Sequence, residues 1–325
     1  MALSITSERL TTPLALVPNA VISPLAGETF YVQTAALRAA YGPTGRAISR
    51  DRMFATIEDA FSACTSGNGD RIEVLPGYTA NITSADAWSA LGSKTNVTVH
   101  GNGYGTNLPT LTWNAATATL LMDQAGFRIS GFNMYMAGDP ASTTALTTAA
   151  PITISAAGCA ITDCFIHYGV DVNQGVTIGI TTTAAADLLT LARLQCFADV
   201  TAGSTLTTSF LYLVGADNLV MEDVVIDGAT SSTTVGSVRF ITTASIGIDI
   251  KRCTVFNKKA ASIHAVTQMA GVLGSVRTCH WGILDDATKA GWVPAGAGDG
   301  PLFNGDCYTT NLAGESGTQM TPIST

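Results

Sequence analysis

The stretch Ile161-Thr-Asp-Cys164-Phe-Ile166 sets an aspartate beside a thiol inside an apolar patch. Taken alone it could be an acid beside a nucleophile, a ligand pair, or a piece of architecture. Its spacing pattern is apolar, two small or polar residues, apolar, any residue, apolar. That pattern recurs at Ile129-Ser-Gly-Phe132-Asn-Met134, Leu191-Ala-Arg-Leu194-Gln-Cys196 and Met221-Glu-Asp-Val224-Val-Ile226. It returns at Ile250-Lys-Arg-Cys253-Thr-Val255 and Val276-Arg-Thr-Cys279-His-Trp281, with a weaker member at Val99-His-Gly-Asn102-Gly-Tyr104. The first positions step by 30, 32, 30, 30, 29 and 26 residues, which marks an internal repeat.

A looser series precedes the members. It comprises Ile152-Thr-Ile154, Ile178-Gly-Ile180, Phe210-Leu-Tyr-Leu213, Val238-Arg-Phe-Ile241 and Ile263-His-Ala-Val266. These alternate with period two, as half-buried strands do. Each unit thus holds two or three short strands separated by Thr/Ala/Gly/Ser loops. A unit of about 30 residues built from short strands cannot bury its own apolar face, whereas stacked units can. Propeller blades are longer, and leucine-rich repeats need their own signature. The pattern therefore predicts an all-β chain, a single-stranded parallel β-helix of about seven or eight coils, with successive strands about 4.8 Å apart.

At the N-terminal side, Phe54, Ile57, Phe61 and Cys64 fall at helical spacing, predicting a helix near 53–64 with Asp51 as its N-cap. The segment Thr56-Ile-Glu-Asp-Ala-Phe61, the acidic turn at Asp70, and the strand ending at Pro76-Gly77-Tyr78 together resemble the opening of pectate-lyase-like right-handed β-helix proteins. The resemblance runs from about residue 53 to 285. It implies a right-handed solenoid whose N-terminal helix caps the open end, and it is specific for fold rather than activity. The expected organisation is an extended arm over 1–48, the β-helix over 49–290 and a second extended arm over 291–325.

Composition narrows the function classes. Charged residues make up 12% and apolar residues 46% of 325, and the net charge is −8 without any run of Lys or Arg. A nucleic-acid partner is not expected, because counterion release needs clustered cations. No run of about 18 apolar residues predicts a membrane span. The N-terminal residues lack the basic and apolar regions of a secretory signal, so none is expected. Seven cysteines without paired spacing fit free buried thiols of a protein made in a reducing cytoplasm.

Stacking turns the repeat positions into columns. The second bend position reads Gly131, Asp163, Arg193, Asp223, Arg252, Thr278, alternating in sign over four coils. The first reads Ser130, Thr162, Ala192, Glu222, Lys251, Arg277, placing Glu222 beside Lys251. Opposite charges on neighbouring strands attract, so these six charged residues are expected to form a structural ladder: Asp163, Arg193, Asp223, Arg252, Glu222 and Lys251. The next column, Phe132, Cys164, Leu194, Val224, Cys253 and Cys279, is expected to fill the core, with cysteine acting as a small hydrophobe. No metal-ligand spacing accompanies the cysteines, and the four histidines fall on different coils. Glu222-Asp223 and Asp285-Asp286 are the adjacent acid pairs within the coils. Neither comes with a partner base, and aromatics are 7% of the chain. No catalytic, cofactor-binding or metal site is expected, and the chain reads as a non-enzyme.

Low charge, Ala/Thr/Gly richness and terminal arms on a modest β-helix resemble small β-helix proteins of tailed bacteriophage virions. The resemblance implies a capsid decoration, or cement, protein on the capsid exterior, a homotrimer whose partner is the major capsid protein. The alternative it leaves is a tailspike or tail-fibre type β-helix that binds or cleaves host polysaccharide.

Overall fold

In a computed structural model, the described residues are 27–36, 52–88, 92–138, 145–169, 174–198, 209–228, 236–257, 265–267, 270–283, 292–293, 302–304, 307–311 and 318–319. They form a nearly all-β parallel solenoid. Three parallel sheets, of eleven, ten and seven strands, form its faces, the seven-stranded one beginning at Leu120–Met122, and a two-stranded parallel sheet joins Leu146–Thr148 to Gln174–Val176. The single antiparallel pairing among the described strands, Tyr308–Asn311 with Thr318–Gln319, closes the second sheet at the C-terminal side.

Register shows why the repeat folds this way. The first apolar position of every repeat member stacks on the next in the first sheet: Val99 on Ile129, Ile129 on Ile161, then Leu191, Met221, Ile250 and Val276. The last apolar position stacks in the second sheet, Met134 on Ile166, Cys196, Ile226, Val255 and Trp281. The looser series forms the third sheet, where Ile152 pairs with Leu120 and Ile180, and Leu211 with Ile180 and Val238. All these side chains point inward into one continuous cluster. Between these inward residues the alternate positions face out, the period-two rule of a strand.

The bend between the first and second sheets has a fixed conformation. Gly131, Asp163, Arg193, Asp223, Arg252 and Thr278 all have φ between 51° and 76°. This left-handed region costs a non-glycine residue about 1–2 kcal/mol. Each bend N–H donates to the bend carbonyl of the following coil: Asp163 to Ala192, Arg193 to Glu222, Asp223 to Lys251 and Arg252 to Arg277. The sheet ladder thereby continues round the corner and offsets the local strain. Thr278 is the sharpest case, because a β-branched residue tolerates this region least. Its side chain is exposed, so Thr278→Gly is expected to stabilise the protein by about 1 kcal/mol. A denaturant midpoint that falls or stays put would contradict that.

Three expectations change. The helix spans Ile57–Ala63, and its N-cap is Thr56, whose hydroxyl accepts from the Asp59 N–H at 3.1 Å. Asp51 is not the cap, because Met53–Phe54 is a strand paired with Thr29–Val32. Thr-x-x-Asp at 56–59 is the capping signal in the sequence. Ile57, Ala60 and Phe61 are the buried face, and Phe61 packs against Trp88 and Phe127 at ring separations of 5.5 and 5.8 Å. Lys94 closes the C-terminal end by donating to the Ser62 carbonyl at 2.7 Å, the favourable place for a cation on a helix dipole.

The boundaries at 48 and 290 do not coincide with the ends of the ladder. Thr29–Val32 pairs in register with Arg71–Val74, and Leu302–Asn304 and Tyr308–Asn311 extend the first and second sheets beyond 290. Both expected arms therefore contain solenoid strands. The weak repeat member at 99–104 is half right. Val99 stacks in the first sheet, but the second-sheet strand of that coil is Thr110–Trp113, after a 3₁₀ turn at Gly105–Asn107. Tyr104 is left almost fully exposed on that insertion.

Candidate functional site

The bend column gathers the charged residues singled out in the sequence. Arg193 lays its guanidinium flat on Asp163 of the preceding coil, Nε to Oδ1 at 2.5 Å and Nη2 to Oδ2 at 2.8 Å. Two coils further on, Arg252 grips Asp223 in the same way at 2.7 and 3.0 Å. Arg252 also meets Glu222, which takes Lys251 at 3.0 Å. Such two-point contacts fit the planar guanidinium fork. No ion pair joins Arg193 to Asp223 among the described residues, so the column is two clamps rather than one unbroken ladder. Each arginine reaches back to the coil before it, and a bidentate contact uses both carboxylate oxygens.

Sequence columns missed a further clamp. Arg277 holds Asp249 at 2.7 and 2.9 Å, and Ser275 donates to the same carboxylate at 3.0 Å. Asp249 precedes its repeat position rather than occupying the bend, so the contact crosses columns. The available signal was an outward acid and an outward base one repeat apart.

These contacts set the electrostatics. Hydrogen bonds from Arg193 hold the Asp163 carboxyl below the usual range, and those from Arg252 do the same for Asp223. Lys251 and Arg252 together lower Glu222. At Asp249 partial burial pushes upward, but Arg277 and Ser275 outweigh it. A carboxylate that holds its charge this firmly is a poor proton donor near neutrality; its chemistry is that of an axial cross-link. The folded pKa values lie below the unfolded ones, so the stabilisation is complete above the ordinary carboxylate range and is lost as pH falls through the lowered values. Stability is therefore expected to be flat down to about pH 5 and to decline below about pH 4. An Arg193→Met, Arg252→Met double variant should decline less steeply in acid melts; an unchanged slope would remove these clamps from the account.

The neighbouring column lies inside. Phe132, Cys164, Leu194, Val224, Cys253 and Cys279 are all essentially inaccessible. The cysteines there share one contact: Cys164 donates to the Thr162 carbonyl at 3.1 Å, Cys253 to Lys251 at 3.4 Å and Cys279 to Arg277 at 3.1 Å. A thiol at this corner fills a small space and donates weakly to the bend carbonyl two residues earlier. Burial pushes the Cys164 thiol up to about 12 and Cys196 well above its ordinary value. Contact with Cys253 and burial both raise Cys279. All seven cysteines are free and buried, and a reactive cysteine needs thiolate character and access. The folded protein is expected to leave an aromatic disulfide reagent at pH 8 unreacted until denaturant is added, when seven thiols should appear. Rapid labelling of even one native thiol would overturn this.

The remaining candidates disperse. His100 Nδ1 lies 2.7 Å from Ser130 Oγ, and His280 meets Phe256 edge-on. His167 stacks on Tyr135 at 4.6 Å and lies 6.0 Å from Phe197, and burial lowers its pKa. Tyr135, His167 and Phe197 are in register on the outer face of the second sheet, an aromatic column that composition alone did not disclose. His264, Asp285 and Asp286 lie outside the described residues. Among the described residues, no group of three or more His, Cys, Asp or Glu is placed to hold a metal ion, and no helix is long and apolar enough to cross a membrane.

No protein-family model matches the chain, and no curated protein matches it. A solved structure titled "Rhamnogalacturonan lyase" aligns over 86% of this chain and 87% of its own, with a TM-score of 0.39 and 9% identity. At that score and identity the alignment carries no argument about activity.

Proposed function

We propose that this chain is a non-enzymatic structural protein of a tailed-phage virion, a decoration protein that binds and stabilises the capsid shell. The observation that carries the reading is the set of axial clamps. The bend carboxylates Asp163 and Asp223 are spent on arginines of the next coil, which makes the bend edge a stiff, charge-compensated spine. A rigid rod with few charges and a continuous core suits a part that braces other subunits. Its partner in this reading is the major capsid protein, and its own state is a homotrimer on the capsid exterior.

The test is attachment. Purified chain added to undecorated heads of the encoding phage should bind saturably and raise their resistance to heat. A variant lacking residues 1–26 should lose attachment while keeping its fold. The deletion stops there because Thr29–Val32 belongs to the ladder. Heads that bind the truncated chain equally well, or fail to bind the full one, would sink the proposal.

The Tyr135, His167 and Phe197 column favours a second reading, a tailspike or tail-fibre type solenoid acting on host polysaccharide, since aromatic faces are common sugar platforms. Tyr135 and His167 cover one face of each other, which ranks this reading behind the first. Release of reducing ends from host capsule would reverse that order.

A further inference from the structure

The outer face of the first sheet carries a feature that the clamps do not explain. Arg71 and Arg128 share one outward column two coils apart, roughly 10 Å along the axis, and Arg193 lies at the bend two coils beyond Arg128, in a chain of net charge −8. Arg71 is paired with Glu73 and Arg193 with Asp163. Arg128 is exposed and has no ion-pair partner among the described residues. Between Arg128 and Arg193 the sheet is indented. Ala160 is in register with Arg128 on one side and Thr190 on the other, so a methyl group sits where its neighbours carry longer chains. Gly158 continues the same floor. The result is a shallow recess of about 560 Å³.

Its walls carry one sign of charge. Arg71, Arg128 and Arg193 line it with the hydroxyls of Thr98, Ser130, Thr162 and Thr190, Leu188 adds an exposed apolar side chain, and no carboxylate lines it among the described residues. Once the two internal ion pairs are discounted, a single uncompensated positive charge remains, that of Arg128. Donors approach from Arg128, from Arg193 and from the hydroxyl-bearing walls around a floor without donors, which suits a group with three free oxygens better than a planar carboxylate. One net positive charge suits a monoanion better than a phosphate dianion.

We propose that this recess is a binding site for a sulfate monoester carried on a saccharide. Arg128 supplies the bidentate contact, Arg193 adds the guanidinium N–H groups that Asp163 leaves free, and the Thr98 and Thr190 hydroxyls meet the sulfate and the sugar, that of Thr162 being held by Asp163. The backbone N–H groups of this sheet are already used in the ladder, so recognition falls to side chains. The site is independent of whether the chain decorates a capsid, because head attachment and saccharide binding are read in separate assays.

Titration calorimetry with the full chain tests it, using dextran sulfate, carboxymethyl dextran, neutral dextran and sodium sulfate as probes. Dextran sulfate should bind measurably and weaken with salt, carboxymethyl dextran should bind at least about tenfold more weakly, and neutral dextran not at all. Sodium sulfate should compete more strongly than sodium chloride at equal ionic strength, which separates reading of the oxyanion from general screening. Arg128→Gln should weaken dextran sulfate binding by about tenfold or more, as loss of a charged hydrogen-bonding group does. Ala160→Leu fills the recess without changing charge and should weaken binding as much, while Arg277→Gln, several coils away, should not. Full binding by Ala160→Leu, equal loss in Arg277→Gln, or equal affinity for carboxymethyl dextran would each overturn the proposal.

Discussion

Replacing Gly131 by valine is expected to remove about 4 kcal/mol or more of stability, at the upper end of what one substitution does. The bend requires φ of 76° there, which alone costs a branched side chain a few kcal/mol at most. The larger part is steric. A Cβ on Gly131 would fall well inside contact distance of the Gly101 carbonyl oxygen, and one on Gly101 inside that of Gly131. Backbone on backbone cannot be relieved by a rotamer change, so the two coils must part. Gly105→Ala separates the two terms. Its φ is 56° and nothing lies within 4 Å of the added carbon, so it should lose only about 1–2 kcal/mol. If the two variants unfold at the same denaturant concentration, the close approach of the coils is not what makes Gly131 necessary.

Asp70→Ala is expected to cost about 3 kcal/mol, concentrated at the N-terminal coil. The Asp70 carboxylate is buried and accepts from the Glu28 N–H at 2.8 Å, the Thr65 N–H at 2.6 Å and Asn68 Nδ2 at 2.6 Å. It ties the entry of the strand Thr29–Val32 to the turn that follows the helix. Alanine leaves buried donors without an acceptor, and stacked repeats hold their neighbours by nearest-neighbour contact. Hydrogen exchange should speed up at Thr29–Val32 while the amides of Ile161–Ile166 keep their protection. A uniform loss along the rod would show that this carboxylate does not act locally.

How far the chain was legible follows from what its columns could carry. Inward positions were readable because burial demands apolar types at every coil, and Ile129, Ile161, Leu191, Met221 and Ile250 keep that demand at steps of 29 to 32 residues. Phe30 and Ile72 also belong to the column, but 42 residues separate them, because the helix is inserted there. That step broke the period that found the others. The bend charges were readable because Asp163 and Arg193, or Asp223 and Arg252, occupy equivalent positions. Asp249 and Arg277 were missed because their contact crosses columns, and the sulfate recess because it depends on which outward residue is small beside which long one.

Sequence alone placed Asp163 in a bend column and Cys164 in a core column: a repeat of about 30 residues fixes which side chains stack, since one face must be buried at every coil. What only the tertiary structure decided is direction and proximity. It set which way each arginine turns, where the ladder ends, how closely Gly101 approaches Gly131, and that Ala160 opens a recess between Arg128 and Arg193. A period prescribes which coil a residue joins. The distances across the outer face depend on backbone twist, bends and side-chain length, which no single column records.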